Sequence, residues 1–221
     1  MLDQLKIGAK SSLDFGASVA ERTISQPKKK EIKETIPFSN ITYDFSAING
    51  ELYWEERELE YIFEILADTP QELEEKKIAF ASWVMNVMNE NIYDPFISGY
   101  HFVGTFSEME FADEDCVEKT TATVKFAAYP YKVANDRKVY HQTVSGKATM
   151  NVENNSSHRL TPTLTVDGSV SIKLGNNTYS VSSGTYTDDD LKLSVGLNVL
   201  EVENKSGRES TVTISFYEEV F

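Results

Sequence analysis

Histidine and cysteine, the side chains that most often bind zinc or act as nucleophiles, are scarce in this chain of 221 residues. The three histidines, His101, His141 and His158, lie far apart and lack both the i, i+4 pairing and the cysteine partners of common zinc motifs. The one cysteine, Cys116, directly follows three acidic residues, a setting that disfavours a reactive thiolate. The sequence therefore predicts neither a zinc site nor a cysteine nucleophile.

Carboxylates are the other groups that could do chemistry. Asp188–Asp190 is the densest cluster, but it lacks the alternating spacing with which an EF-hand loop binds calcium. A second set of carboxylates consists of Glu56, Glu58, Glu60 and Glu64. Paired carboxylates are what a glycosidase requires, but the period-2 spacing of this set favours the solvated or interface face of a strand. Walker A, Gly-x-Gly-x-x-Gly and Gly-x-Ser-x-Gly segments are absent from the sequence. We therefore expect no enzymatic activity, no bound metal and no cofactor.

The charge of the chain limits its partners. The formal net charge is -14, which argues against a surface that neutralises nucleic-acid phosphates or lies on anionic lipid. The one basic run, Lys28–Lys30, is followed at once by Glu31 and is interpreted as solvated charge. The N-terminus has no apolar segment of signal-peptide length, and no window approaches the roughly 20 apolar residues that span a bilayer. We expect a protein made in soluble form that contacts neither nucleic acid nor membrane.

A strand and a helix are the clearest elements of the first part of the chain. Apolar and mostly acidic residues alternate over Leu59–Ile65, the pattern of a strand with one buried face. Thr69, Pro70 and Glu72 then supply an N-cap, a first-turn proline and the acidic residue of a capping box, so a helix is predicted from there to about Asn89. Its predicted apolar face consists of Leu73, Phe80, Ala81, Val84 and Met88. Further strands are predicted at Thr35–Phe45, Tyr100–Phe111 and Val117–Tyr129.

The composition changes after about Tyr131, where Ser, Thr, Asn, Gly and Val become frequent. The polar segment Lys132–Gln142 is interpreted as a connection, which places a domain boundary near Gln142 and predicts domains of residues 1–142 and 143–221. Short strands separated by Gly and Asn turns follow, with the spacing of a small β-sandwich. They are predicted at Ala148–Val152, Leu164–Val166, Val170–Leu174, Thr178–Val181, Leu191–Val195, Asn198–Glu203 and Ser210–Glu218.

A series of short motifs, in this order, resembles the distal tail (Dit) family of long-tailed phages that infect Gram-positive bacteria. The motifs are Ser12–Gly16, Ile41–Ser46, Trp54–Leu59, the Ala-Ser-Trp of Ala81–Trp83, Ala128–Tyr131, Pro162–Gly168 and Val195–Asn198. The resemblance covers nearly the whole chain. One departure is Pro37–Asn40, which stands where many family members carry a glycine-rich turn.

The resemblance implies a mainly β fold, in which an N-terminal β-sheet domain with one packed α-helix precedes a C-terminal galectin-like β-sandwich. It also implies a structural role in the virion. The family forms a homohexameric ring that joins the tail tube to the tip and contacts tube, tail-tip hub and receptor-binding proteins. The protein would be made in the host cytoplasm and reside at the tail tip.

The ring contact is predicted to involve the first domain, because strands such as Thr35–Phe45 leave unpaired edges that a neighbouring subunit can cover. Tyr43, Asp44 and Phe45 are the candidate contact residues, although the same aromatic-acid-aromatic run also fits a buried turn.

A soluble β-sandwich adaptor or carbohydrate-binding module is the alternative, since small sandwiches often stack sugars on exposed aromatic rings. The aromatic residues available in the second domain are Tyr179, Tyr186, Phe216, Tyr217 and Phe221, of which Phe216 is predicted to face the core. A protein-docking or spacer role for this domain is favoured over sugar binding. A further reading is a tail-tube or other β-rich virion subunit.

Overall fold

A computed structural model describes residues 3–47, 50–113 and 118–221 of the chain. The chain divides into two compact units, residues 1–132 with Phe221, and Val133–Val220. The boundary predicted near Gln142 does not coincide with this division, because Gln142 lies inside a strand that begins at Lys132. Cys116 and its acidic neighbours Glu114 and Asp115 lie outside the described residues.

The described residues of unit 1 form an antiparallel sheet, a small two-stranded sheet, one α-helix and a short 3-10 helix at Ser12–Phe15. The strands are β1 Lys6–Ile7, β2 Lys10–Ser11, β3 Ala17–Ile24, β4 Lys33–Thr35, β5 Thr42–Asp44, β6 Arg57–Leu66, β7 Glu90–Tyr93, β8 Tyr100–Asp113 and β9 Lys119–Ala128, and the helix is α1 Pro70–Val84. The main sheet has the order β3-β6-β9-β8-β7-β1-β2, while β4 and β5 pair only with each other.

Strand β6 has one buried and one exposed face, as its period-2 pattern predicts. Its four apolar residues at positions 59, 61, 63 and 65 are completely buried, as predicted. The glutamates of the opposite face are at least partly exposed. Two of them pair with lysines of the adjacent strand, Glu60 with Lys125 at 3.7 Å and Glu64 with Lys119 at 3.3 Å. These carboxylates therefore form a charged sheet face with cross-strand partners.

Helix α1 begins where the sequence predicts. The Oγ1 atom of Thr69 accepts a hydrogen bond from the amide of Glu72 at 3.2 Å, and the Glu72 carboxylate accepts one from the amide of Asp68 at 2.9 Å. Hydrogen bonds from Lys76 and from the Asp68 amide hold the pKa of Glu72 below its usual range. The predicted end near Asn89 is wrong. The helix stops at Val84, and Asn89 adopts a φ of 53°, outside the right-handed helical region.

Loss of the N-cap is expected to destabilise unit 1 modestly. Thr69→Ala removes the side-chain acceptor of the Glu72 amide, so the free energy of unfolding should fall by about 1 kcal/mol and the melting temperature with it. Thermal denaturation followed by circular dichroism measures this change. Ser98→Ala, a substitution of an exposed serine outside the helix, is the control and should melt like the parent chain. An unchanged melting curve for Thr69→Ala would contradict the capping role.

Unit 2 is a sandwich of two antiparallel sheets. Its strands are β10 Lys132–Val144, β11 Lys147–Asn154, β12 Thr163–Asp167, β13 Val170–Leu174, β14 Asn177–Val181, β15 Gly184–Thr187, β16 Gly196–Asn204 and β17 Ser210–Val220. One sheet has the order β11-β16-β13-β14 and the other the order β15-β12-β17-β10. Phe216 is buried in the core between them, as predicted.

One predicted strand of unit 2 is replaced by a segment that side chains hold in place. Residues 191–195 form no strand, only a bridge between Leu160 and Leu193. The buried amide of Asn154 donates to the carbonyl of Leu193 at 3.1 Å, and that of Asn198 donates to the carbonyl of Ser194 at 2.8 Å. The Asn198 amide satisfies the Ser194 carbonyl, while the Asn154 amide adds a second hydrogen bond to the Leu193 carbonyl, which also accepts one from the Leu160 amide at 3.1 Å.

Candidate assembly interface

Residues 28–47 and 50–55, between β3 and β6, form a narrow hairpin, which we call the arm. Its base is held by hydrogen bonds from the Glu55 amide to the Lys28 carbonyl and from the Lys30 amide to the Tyr53 carbonyl, both 2.8 Å long. Farther out, β4 pairs with β5. The prediction of one strand over Thr35–Phe45 is therefore wrong: the segment contains the end of β4, a turn and β5.

The outer part of the arm has one apolar and one polar face. Glu34 is the cross-strand partner of Tyr43, and Lys33 is that of Asp44. The alternation of a strand therefore places Ile32, Tyr43 and Phe45 on one face, which Glu34 shares, and Lys33 and Asp44 on the other. The Tyr43 and Phe45 rings stack with centroids 6.2 Å apart. Ile32, Tyr43 and Phe45 are 47%, 44% and 39% exposed. The apolar face thus lacks cover from the described part of the subunit.

The tip of the arm carries an aromatic residue in a strained backbone conformation. The Ser39 amide donates to the Ile36 carbonyl at 3.1 Å across Pro37 and Phe38, and Phe38 has a φ of 66°. This is the pattern of a type II turn, whose third position favours glycine or asparagine. A phenylalanine in the left-handed region is unusual because its Cβ crowds the backbone. Its side chain is nevertheless fully exposed.

Asp44 occupies the polar face and stabilises the arm itself. Its Oδ1 atom accepts a hydrogen bond from the Ser46 amide at 2.9 Å, and the Ser46 Oγ atom accepts one from the Ile32 amide at 2.9 Å. The hydroxyl and the amide of Ser46 hold the pKa of Asp44 below its usual range. Of the three predicted contact residues, Tyr43 and Phe45 therefore share the exposed apolar face, and Asp44 lies opposite them. Their contact with a neighbour stays a prediction.

Sequence reasoning missed the other apolar residues of the arm. Ile36, Phe38 and Ile41 flank or form the turn and are all exposed. A signal was present, since Ile32 and Ile36 lie four residues apart and therefore share one face of a strand. Pro37 follows directly and indicates the end of that strand.

The residues first considered for chemistry lie in separate places. His101 is buried against the Tyr93 ring with centroids 4.9 Å apart, His141 is exposed, and His158 contacts Glu219 at 3.2 Å. Across residues 3–47, 50–113 and 118–221, three or more His, Cys, Asp or Glu side chains nowhere converge as a metal shell would. The same residues contain no helix that is long and apolar enough to cross a membrane.

The sequence matches no family model and no curated protein. The structure does match the solved Dit protein of phage SPP1, with a TM-score of 0.69 and 14% identity, over 98% of this chain and 99% of that one. The chain has the fold of a phage distal tail protein. The fold class implied by the sequence resemblance, mainly β with a packed helix and a β-sandwich, is thereby confirmed. The distal tail fold extends over both units, because the match leaves only 2% of the chain uncovered.

The solved SPP1 protein is described as a paradigm of the hub of the adsorption apparatus in phages that infect Gram-positive bacteria. A second solved structure, the baseplate of phage P2 in its activated conformation with Ca, aligns with a TM-score of 0.47 and 6% identity, over 97% of this chain and 98% of that one. That similarity is too low to support an argument about this chain.

Proposed function

We propose that this protein is a structural virion component, a distal tail protein that joins the tail tube to the tip and its receptor-binding apparatus as a homohexameric ring. The observation that carries the proposal is the full-length match to the SPP1 Dit fold, which includes both units. Partners would be the tube, the tail-tip hub and receptor-binding proteins. The protein would be made in the host cytoplasm and reside at the tail tip.

The arm supports assembly with further copies of the same chain. A two-stranded hairpin is marginally stable in water unless its apolar face packs against something. The arm has such a face in Ile32, Tyr43 and Phe45, with Phe38 exposed at its tip. In a closed ring every subunit both extends an arm and receives one, so each apolar face is covered and no open filament forms.

Ring formation is expected to depend on salt. Six copies of a chain with net charge -14 carry 6 × -14 = -84, and this repulsion opposes assembly at low ionic strength. Raising the salt concentration from about 10 mM to about 200 mM shortens the Debye length several-fold and should increase the hexamer fraction. Native mass spectrometry and light scattering at high protein concentration measure the distribution. A strict monomer at every salt concentration, absent from tail tips by imaging, would favour the adaptor alternative.

We also propose that the role is structural without catalysis. Glu60 and Glu64 of β6 pair with lysines, and the three histidines occupy separate surroundings. Glycosidase, esterase and peptidase assays are expected to give no turnover, and metal analysis is expected to find no stoichiometric transition metal. A reproducible activity that one point substitution abolishes would overturn this part of the proposal.

A further inference from the structure

A cavity opens at one side of unit 2, between the outermost strands of its two sheets. Strand β14 ends one sheet and β15 ends the other, so neither has a further strand beside it. The cavity between them has a volume of about 320 Å³. Leu164 and Leu191, each 3% exposed, contribute core side chains to its lining. The remaining lining includes Tyr179, Val181, Ser182, Tyr186 and Asp188.

Two tyrosine rings of this cavity are fixed by their own hydroxyl groups. The Tyr179 hydroxyl donates to the carbonyl of Asp190 at 2.7 Å, and the Tyr186 hydroxyl donates to the carbonyl of Ser182 at 3.2 Å. Tyr186 remains 38% exposed. A ring that is already immobilised loses little conformational entropy when a ligand stacks on it.

A carboxylate beside these rings is also oriented in advance. The Oδ1 atom of Asp188 accepts a hydrogen bond from the Asp190 amide at 3.0 Å. That hydrogen bond uses one carboxylate oxygen of Asp188, whose side chain is exposed. Ser182 adds a hydroxyl group to the same lining. An oriented acceptor next to an aromatic ring suits a ligand with an apolar face and a rim of hydroxyl groups.

We propose that this cavity binds a neutral sugar residue of a glycan. Small-molecule sites are concave, largely apolar and start at about 300 Å³, so the volume fits a single sugar ring. A more open groove of about 470 Å³ shares Tyr179 and includes Asn177 and Lys192, which gives room for the next residue of the glycan. Asp188 in the cavity disfavours phosphorylated sugars, whereas the groove carries both signs of charge, with Asp189 and Asp190 beside Arg159 and Lys192.

The test is titration of the full chain with methyl glucoside, methyl galactoside, triacetylchitotriose and a glucose phosphate, followed by nuclear magnetic resonance. At least one neutral sugar is expected to bind, and the glucose phosphate is expected to bind more weakly. Tyr186→Ser removes the exposed ring and should weaken binding by roughly tenfold. Asp188→Asn keeps an oxygen for the Asp190 amide but loses the charge, and should weaken binding by several-fold.

Tyr217→Ser is the matched control, since Tyr217 is an exposed tyrosine of the same unit outside this lining and should leave binding unchanged. Binding should also survive Phe38→Asn, which alters the arm, so failure of the ring proposal and failure of this one are distinguishable. Binding of none of the neutral probes, tighter binding of the glucose phosphate, or equal loss in Tyr217→Ser would each overturn the proposal. The proposal would also be overturned if a neighbouring tail protein occupied the cavity and no sugar bound.

Discussion

Replacing Phe38 with asparagine is expected to weaken ring formation strongly while leaving the isolated subunit at least as stable as before. Asparagine tolerates the left-handed backbone that Phe38 adopts, so the turn loses strain. The same change removes the aromatic side chain at the arm tip, and buried aromatic anchors commonly contribute about 2 kcal/mol or more to an interface. Because a hexamer contains about six such contacts, the protein concentration at half assembly should rise by tens of fold.

Light scattering across a concentration series measures assembly of Phe38→Asn, and thermal denaturation of the dilute protein measures subunit stability. Met88→Asn is the matched control, because Met88 is 76% exposed in the same unit but lies outside the arm. It should assemble like the parent chain. Phe38→Gly, which also accepts a positive φ, should behave like Phe38→Asn. Retention of hexamers by both Phe38 variants at unchanged concentration would show that the tip does not contact a neighbour.

Whether a C-terminal fragment folds is expected to depend on the residue at which the fragment begins. A fragment of residues 133–220 contains β10, which is hydrogen-bonded to β17 as its neighbour in one sheet. A fragment that begins at Thr143 loses nearly all of β10, including Tyr140, whose ring stacks on Phe216 with centroids 6.2 Å apart. It also leaves an edge of β17 unpaired and part of the sandwich core exposed.

The longer fragment should therefore give a β-type circular dichroism spectrum and a cooperative melt. The fragment from Thr143 should be unfolded or melt at a much lower temperature under the same conditions. Equal cooperative melting of the two fragments would mean that β10 contributes little to the core. Loss of structure in both would mean that unit 2 needs the rest of the chain.

Elements with a local sequence signal could be predicted. In strand β6 that signal is the alternation of apolar residues, and at the start of α1 it is the set of capping residues. Strand β10 could not be recognised, since residues 135–139 are all exposed and read as a polar connection. Residues 191–195 show the reverse case. Their alternation is real, but only one backbone bridge, between Leu160 and Leu193, forms there, and asparagine amides donate to the carbonyls of Leu193 and Ser194.

Part of the candidate interface could be predicted, because strand alternation is a local signal. Period-2 alternation by itself places Tyr43 and Phe45 on one face and Asp44 on the other, although the three were first grouped together. The position of Phe38 at the tip could not be inferred, because phenylalanine is strongly disfavoured at a positive φ and a turn would be expected to place glycine or asparagine there. The cavity between β14 and β15 depends on which strands end the two sheets, and that order is not a local property of the sequence.

The charged residues around the arm have a consequence for subunits that have not yet assembled. An exposed hairpin with an apolar face is a template for indiscriminate aggregation, and charged residues beside such segments act as gatekeepers. Lys28–Lys30 and the ion pair between Lys33 and Glu31, 2.7 Å long, flank Ile32 in this way. Neutralising these charges should therefore lower the solubility of the free subunit during expression, even where the folded structure and the finished ring are unchanged.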